Sequence, residues 1–210
     1  TLAEKLLSHL HPSFSKVFFT DNGSTAVEVA LKMAYQSAHQ RGEKRHRFLA
    51  LEGGYHGDTF GAMSVGRSSL FQPLYADLLW SVGILPCPYW HEGMSEDVIE
   101  EKEQTALSKI AKELEDIGES AVALIVEPLI QGASGMKMYR ISFLERLVTL
   151  CRSYGITIIF DEVMTGFGRT GTLFAHQQTR VVPDILCLSK GLTGGMMPLS
   201  VTICTQQIYD

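Results

Sequence analysis

Short, continuously apolar runs alternate with longer stretches of helical period along this 210-residue chain. The runs at 17–20, 48–52, 121–127, 156–161, 185–188 and 200–204 predict strands, and several lack a polar face, as expected where both sides of a sheet are covered. Between them Val27, Ala30, Leu31 and Ala34 recur at i, i+3, i+4 and i+7, and Leu144, Leu147, Val148 and Cys151 repeat the spacing. Each set puts one apolar stripe along a helix. Residues 97–117 predict a more polar helix, and Leu2, Leu6, Leu7 and Leu10 read as an amphipathic helix already under way at Thr1. From about 66 to 94 the pattern weakens, with Pro73, Pro86 and Pro88 interrupting it, which predicts a packed irregular loop. Strands separated by helices predict an α/β fold: a mostly parallel sheet with helices on both faces, at this length in one domain over 1–210.

Charge and composition remove several function classes. A net charge of -5 with no cluster of Lys and Arg gives no attraction to nucleic acid or to anionic membranes. No apolar run approaches the ~20 residues that span a bilayer, so a soluble protein is expected. Cys87, Cys151, Cys187 and Cys204 are widely spaced without a C-x-x-C pair. That argues against a metal site or a disulfide framework and fits reduced thiols in a cytoplasm. The opening at Thr1, in what reads as mid-helix, suggests a piece of a longer chain.

The chemistry concentrates where predicted strands end. Asp161 closes one apolar run and Lys190 follows the next, 29 residues later in sequence. That is close to one crossover unit of ~30 residues, and ligands of doubly wound sheets bind outside the carboxyl ends of strands. A pyridoxal 5'-phosphate (PLP) enzyme needs such a pair: an amine to hold the cofactor, and a carboxylate to keep its pyridine nitrogen protonated. An ordinary strand-end salt bridge is the plainer reading of the two charges. Asp21-Asn22-Gly23-Ser24-Thr25 lies between a strand and a helix start, where backbone amides and the Ser24 and Thr25 hydroxyls can face a phosphate. The same residues also make a simple helix cap. It is neither a Walker loop nor G-x-G-x-x-G, which argues against a nucleotide. After the next strand, Gly53-Gly54-Tyr55-His56-Gly57-Asp58-Thr59 lets an aromatic ring approach a planar ligand, with Tyr55 as the stacking group. His56 is read as non-catalytic, its stacking and acid–base roles being inseparable in sequence.

Taken in order, NGS, GYHGDTFGAMSV, VEPLIQG, FDEVMTGFGRTG and LSKGLTGGMMPLS resemble the class III (fold type I) PLP-dependent aminotransferases over nearly the whole chain. The resemblance implies that Lys190 holds PLP and is the catalytic base, Asp161 pairs with the pyridine nitrogen, Gly23 and Ser24 bind phosphate, and Tyr55 and Val163 cover the two ring faces. It implies that Glu127 helps hold the Asp161 region, and that Tyr55, Asp58, Arg169 and Gly195 lie toward the substrate. Gly57-Asp58-Thr59 and Leu192-Thr193-Gly194-Gly195 resemble the branch of the family that acts in biotin biosynthesis with S-adenosylmethionine as amino donor. Met164 stands where ornithine-type relatives carry Gln, which disfavours those enzymes, and it is larger than the residue expected in the biotin branch. The family further implies a small-molecule substrate and amino donor and a homodimer whose partner subunit supplies a phosphate-binding Thr. An N-terminal segment and a C-terminal small domain would then lie outside these residues. Two other readings stay open: a different PLP reaction on the same scaffold, such as an aminomutase or decarboxylase, and a non-catalytic fragment.

Overall fold

The computed structural model describes residues 1–66 and 73–210. In chain order the elements are α1 (Leu2–Leu7), β1 (Phe14–Thr20), α2 (Gly23–Gln40), β2 (Arg47–Leu51), α3 (Phe60–Val65), β3 (Gly83–Leu85), α4 (Glu96–Ile117) and β4 (Ala121–Val126). They continue with β5 (Ile130–Gln131), β6 (Lys137–Met138), α5 (Ile141–Ser153), β7 (Thr157–Asp161), β8 (Ile185–Leu188), β9 (Ser200–Thr205) and α6 (Gln206–Tyr209). Seven strands form one sheet in the order β1-β9-β8-β7-β4-β2-β3, and β5 and β6 pair as a separate hairpin. The neighbours from β8 to β3 are all parallel, whereas β9 runs against both β1 and β8. β1 therefore points the same way as β8, and the carboxyl ends of β1, β2, β3, β4, β7 and β8 share one edge of the sheet. The start of β9 joins them there.

Strand side chains alternate between two cores. On one face Leu124, Val126, Ile158, Phe160, Leu186 and Leu188 pack with Ile110 and Leu114 of α4 and with Leu144, Leu147 and Val148 of α5. On the other, Ala123, Ile125, Ile159, Ile185 and Cys187 meet Ala26, Val27, Ala30, Leu31 and Ala34 of α2. The apolar stripe of α2 is mostly Ala and Val, so the helix lies close to the sheet, and its first turns are pinned to it. Ser200 Oγ donates to Asn22 O at 2.6 Å and Thr202 Oγ1 to Ala26 O at 2.8 Å.

Three sequence expectations change. The irregular stretch at 66–94 contains a 3-10 turn at Pro73–Leu78 and the parallel edge strand β3, while 67–72 fall outside the described residues. β3 is only three residues long and ends at Pro86, too short for periodicity to register. α1 spans Leu2–Leu7 and stops short of Leu10, and of its leucines only Leu6 is buried. β1 starts three residues before the apolar run that announced it, at Phe14, because pairing with β9 extends past the apolar positions. Among the described residues no helix is long and apolar enough to cross a membrane, and all four cysteines are buried and free.

The polar helix α4 is held to α5 through one buried carboxylate. Glu103, fully buried, accepts from Arg140 Nε at 2.6 Å, from an Arg146 terminal nitrogen at 2.5 Å and from Ser142 Oγ at 3.2 Å. Arg140 also reaches Glu96 and Glu100. Replacing Glu103 by Ala removes the buried acceptor that Arg140 and Arg146 share, leaving both with the exposed Glu100. We expect a loss of about 2–4 kcal/mol in denaturant unfolding. A change within about 0.5 kcal/mol, the usual size for a surface residue, would contradict the clamp.

Candidate active site at the carboxyl edge of the sheet

The helix that follows β1 supplies an anion-facing end. Asn22 caps α2, its Oδ1 accepting from Thr25 N at 3.1 Å, while Thr25 Oγ1 accepts from Asn22 N at 3.2 Å. The amides of Gly23 and Ser24 have no protein acceptor among the described residues, and they sit where the helix dipole favours negative charge. Ser24 Oγ accepts from Asp58 N at 3.1 Å, which leaves its hydroxyl proton free to donate. Thr25 does not share this role: its hydroxyl donates to Asp21 at 2.7 Å and is spent on the cap. Gly23 itself is required by space, since a Cβ there would lie 2.8 Å from a Val163 methyl.

These groups open into a cavity of about 460 Å³, within the size range of small-ligand sites. Gly23, Ser24, Tyr55, Val163, Lys190 and Gly195 all line it. Lys190 is exposed and has φ +32, a conformation that costs a residue with a side chain, so the turn after β8 holds it under local strain. That turn is closed by Ser189 Oγ donating to Leu199 O at 3.0 Å and Thr193 Oγ1 to Met197 O at 2.9 Å. Thr193, Met197, Pro198 and Leu199 join the lining, positions that no strand or helix pattern marks.

Asp161 stands behind this cavity rather than in its lining. It is 3% exposed, and period two along β7 points it to the α2 face of the sheet. Val163 N donates to Oδ1 at 3.0 Å, and His56 Nδ1 lies 2.7 Å from Oδ2. A carboxylate only accepts, so the shared proton is on Nδ1. His56 is therefore the buried partner of Asp161, the residue whose part sequence reasoning missed. Only its place two residues from a strand-end glycine pair hinted at it. Tyr55 feels Asp161 as well: burial, then the Asp58 carboxylate accepting from its hydroxyl at 2.9 Å, push the phenol up to about 12.

Glu127 is 4% exposed just past β4 and does not contact Asp161 by hydrogen bond. It accepts instead from Tyr55 N at 3.2 Å and from Gly132 N at 3.1 Å, tying two loops together behind the cavity. Met164 packs against Gly132, where a Cβ would meet its methyl at 2.8 Å. Asp58 and Arg169 are exposed and lie outside the cavity lining, Asp58 holding the Tyr55 hydroxyl and Arg169 in the turn Gly168–Gly171. The arrangement fits a flat ring carrying a phosphate: free amides and a hydroxyl for the anion, a phenol ring and a valine toward the ring, one lysine, and a buried acid behind.

The family model described as "Aminotransferase class-III" matches residues 1–210. Among curated proteins the chain is 51% identical to the adenosylmethionine-8-amino-7-oxononanoate aminotransferase of Synechococcus elongatus, over all of this chain and 48% of that protein. It is 42% identical to the protein of the same name from Geobacter sulfurreducens, covering 47% of it. The chain thus spans about half the length of the curated relatives it matches. The crystal structure of the enzyme of that name from Methanocaldococcus jannaschii superposes with a TM-score of 0.86 at 39% identity, over 99% of this chain and 46% of that one. A PLP-bound amine transaminase from an uncultivated Pseudomonas species gives 0.91 at 36% identity, over 100% and 48%.

Burial pushes the Glu127 carboxyl up to about 7 from 4.5; His56 opposes the shift and Asp161 adds to it. Between those values the folded apo protein keeps a proton that the unfolded chain has released, so its stability falls as pH rises through the window. Relative to a Glu127→Gln variant, which does not titrate, the wild-type apo protein should lose up to about 3 kcal/mol from pH 4.5 to 7 and level off above. A difference that stays flat or grows over that range would count against the buried site described for Glu127.

Proposed function

The chain belongs to the class-III aminotransferases, and from that membership we propose that the whole protein is a PLP-dependent transaminase of biotin biosynthesis. It would convert 8-amino-7-oxononanoate to 7,8-diaminononanoate with S-adenosylmethionine as amino donor. Residues 1–210 would be the central part of its cofactor-binding domain. The observation that carries the reading is the shared edge of the sheet, where Lys190, the free amides of Gly23 and Ser24, and Tyr55 line one cavity with Asp161 behind it. Identities of 39–51% to relatives of that name support the substrate.

When bound, PLP supplies an electrophilic carbonyl and a ring that takes up an electron pair. The protein's own residues do the rest. Gly23 and Ser24 would grip the phosphate through amides and a hydroxyl whose oxygen is already fixed by Asp58 N. The Tyr55 and Val163 side chains would confine the ring. Asp161, held by His56 and Val163 N, would keep the ring nitrogen protonated. Lys190 Nζ would anchor the cofactor and, once displaced by the donor amine, carry a proton at the reacting carbon. We place the protein in the cytoplasm as a homodimer. Support for the second copy comes from large apolar side chains exposed at the cavity rim, Met196 at 88% and Met197 at 58%.

A second reading, an amine transaminase of broader substrate range, is favoured by the likeness to the Pseudomonas enzyme. Turnover of 8-amino-7-oxononanoate against turnover of simple amines separates the two. In the full-length protein, Lys190→Ala should lower turnover by at least about a thousandfold and leave no borohydride-stable cofactor adduct. Activity within tenfold of wild type, or an adduct on another lysine, would refute the role given to Lys190.

A further inference from the structure

One charged side chain beside the cavity takes no part in the site as described. Glu28 stands one turn after Ser24 on α2, so the two side chains project from the same face of the helix. Its Oε1 accepts three hydrogen bonds, from Thr59 Oγ1 at 2.5 Å, Gly61 N at 2.7 Å and Ala62 N at 3.1 Å. The amides belong to the first turn of α3, which has no acceptors of its own for them, and Thr59, at the cap position, makes no side-chain capping bond there. A carboxylate from another helix does that work.

Two glycines bring the backbone close enough. Gly57 has φ +128, and a Cβ on it would overlap the Ser24 side chain; a Cβ on Gly61 would overlap the Glu28 carboxylate. The loop of residues 53–59 is thus pressed against α2 at two points one helical turn apart, by Ser24 at its middle and by Glu28 at its far end. Between the start of that loop and these tethers lie Tyr55 and His56. The helix that presents its free amides to an anion therefore also fixes the loop that presents the aromatic ring.

We propose that Glu28 is a positioning residue for the cofactor, setting the Tyr55 ring at a fixed height above the phosphate-gripping turn at Gly23 and Ser24. The proposal rests on the reading that the cavity takes PLP. Glu28 acts through Tyr55 and touches neither cofactor nor substrate. Its removal should then matter for cofactor binding only while the phenol ring is present.

The test uses the full-length protein and PLP, with affinity read by absorbance titration of the apo form. E28A should weaken PLP binding about tenfold in the wild-type background and by less than about twofold in a Y55A background. E28Q keeps an acceptor oxygen and should restore most of the affinity. Hydrogen exchange in apo E28A should quicken at Gly61 and Ala62. Should E28A not fold, T59V, which deletes only the hydroxyl donor, is expected to give a smaller loss with the same dependence on Tyr55. Losses that simply add in the double variant, or an unchanged affinity in the folded single variant, would overturn the proposal alone. Wild-type protein that takes up no PLP would overturn the cofactor reading, and this proposal with it.

Discussion

A carboxylate placed in a protein interior must be held by donors, or its desolvation is uncompensated. Asp161 is such a group, at the end of a fully buried strand, and the elements around it are arranged to supply those donors. The amide of Val163 comes from the chain turning off β7, and His56 comes from the loop after β2, two strands away in the sheet. Because both partners sit on segments that also line the cavity, holding the acid and shaping the cavity are one structural task. Glu127 extends the same logic by binding the amides of Tyr55 and Gly132, which keeps the His56 loop from lifting away.

The helix α2 is the second half of that design. Its small apolar face lets it lie low across β4, β7, β8 and β9, and the hydroxyls of Ser200 and Thr202 fix where its amino end stops. The position of that end sets where an anion can bind relative to Lys190. An anion there and an amine on the strained turn after β8 face one volume because parallel β7 and β8 leave the sheet at the same edge as β1. Parallel topology, rather than any single contact, is what brings residues 23, 55 and 190 to one cavity with Asp161 behind it.

Much of this was legible in the sequence, for definite reasons. Buried parallel strands announce themselves as unbroken apolar runs, so β4, β7 and β8 stood out, and with them the acid and the lysine at their ends. The stripe on α2 and the Asx-Gly-Ser start marked the anion end. Where pattern failed, the cause was length or distance. β3 has three residues and the β5–β6 hairpin two per strand, too few for periodicity. The pairing of His56 with Asp161 joins positions 105 apart, and the Glu28 tether joins positions more than 30 apart, which no local spacing encodes. Thr25 stayed open between two roles because a hydroxyl near a helix start can serve a ligand or a cap, and only the geometry shows that it serves the cap. Asp58 and Arg169 lie in turns outside the cavity lining, and their expected place toward a substrate came from the resemblance rather than from any periodicity in the chain.

The role proposed for Asp161 requires that its carboxylate address the ring nitrogen of a bound pyridine. Nitrogen NMR of the full-length protein, loaded with PLP isotopically labelled at that atom, reads this directly. A ring nitrogen that stays protonated well above the pH at which the free cofactor loses its proton, and that becomes unprotonated in an Asp161→Ala variant, is the predicted result. An unprotonated nitrogen in the wild type, or the same protonated signal in both proteins, would contradict it.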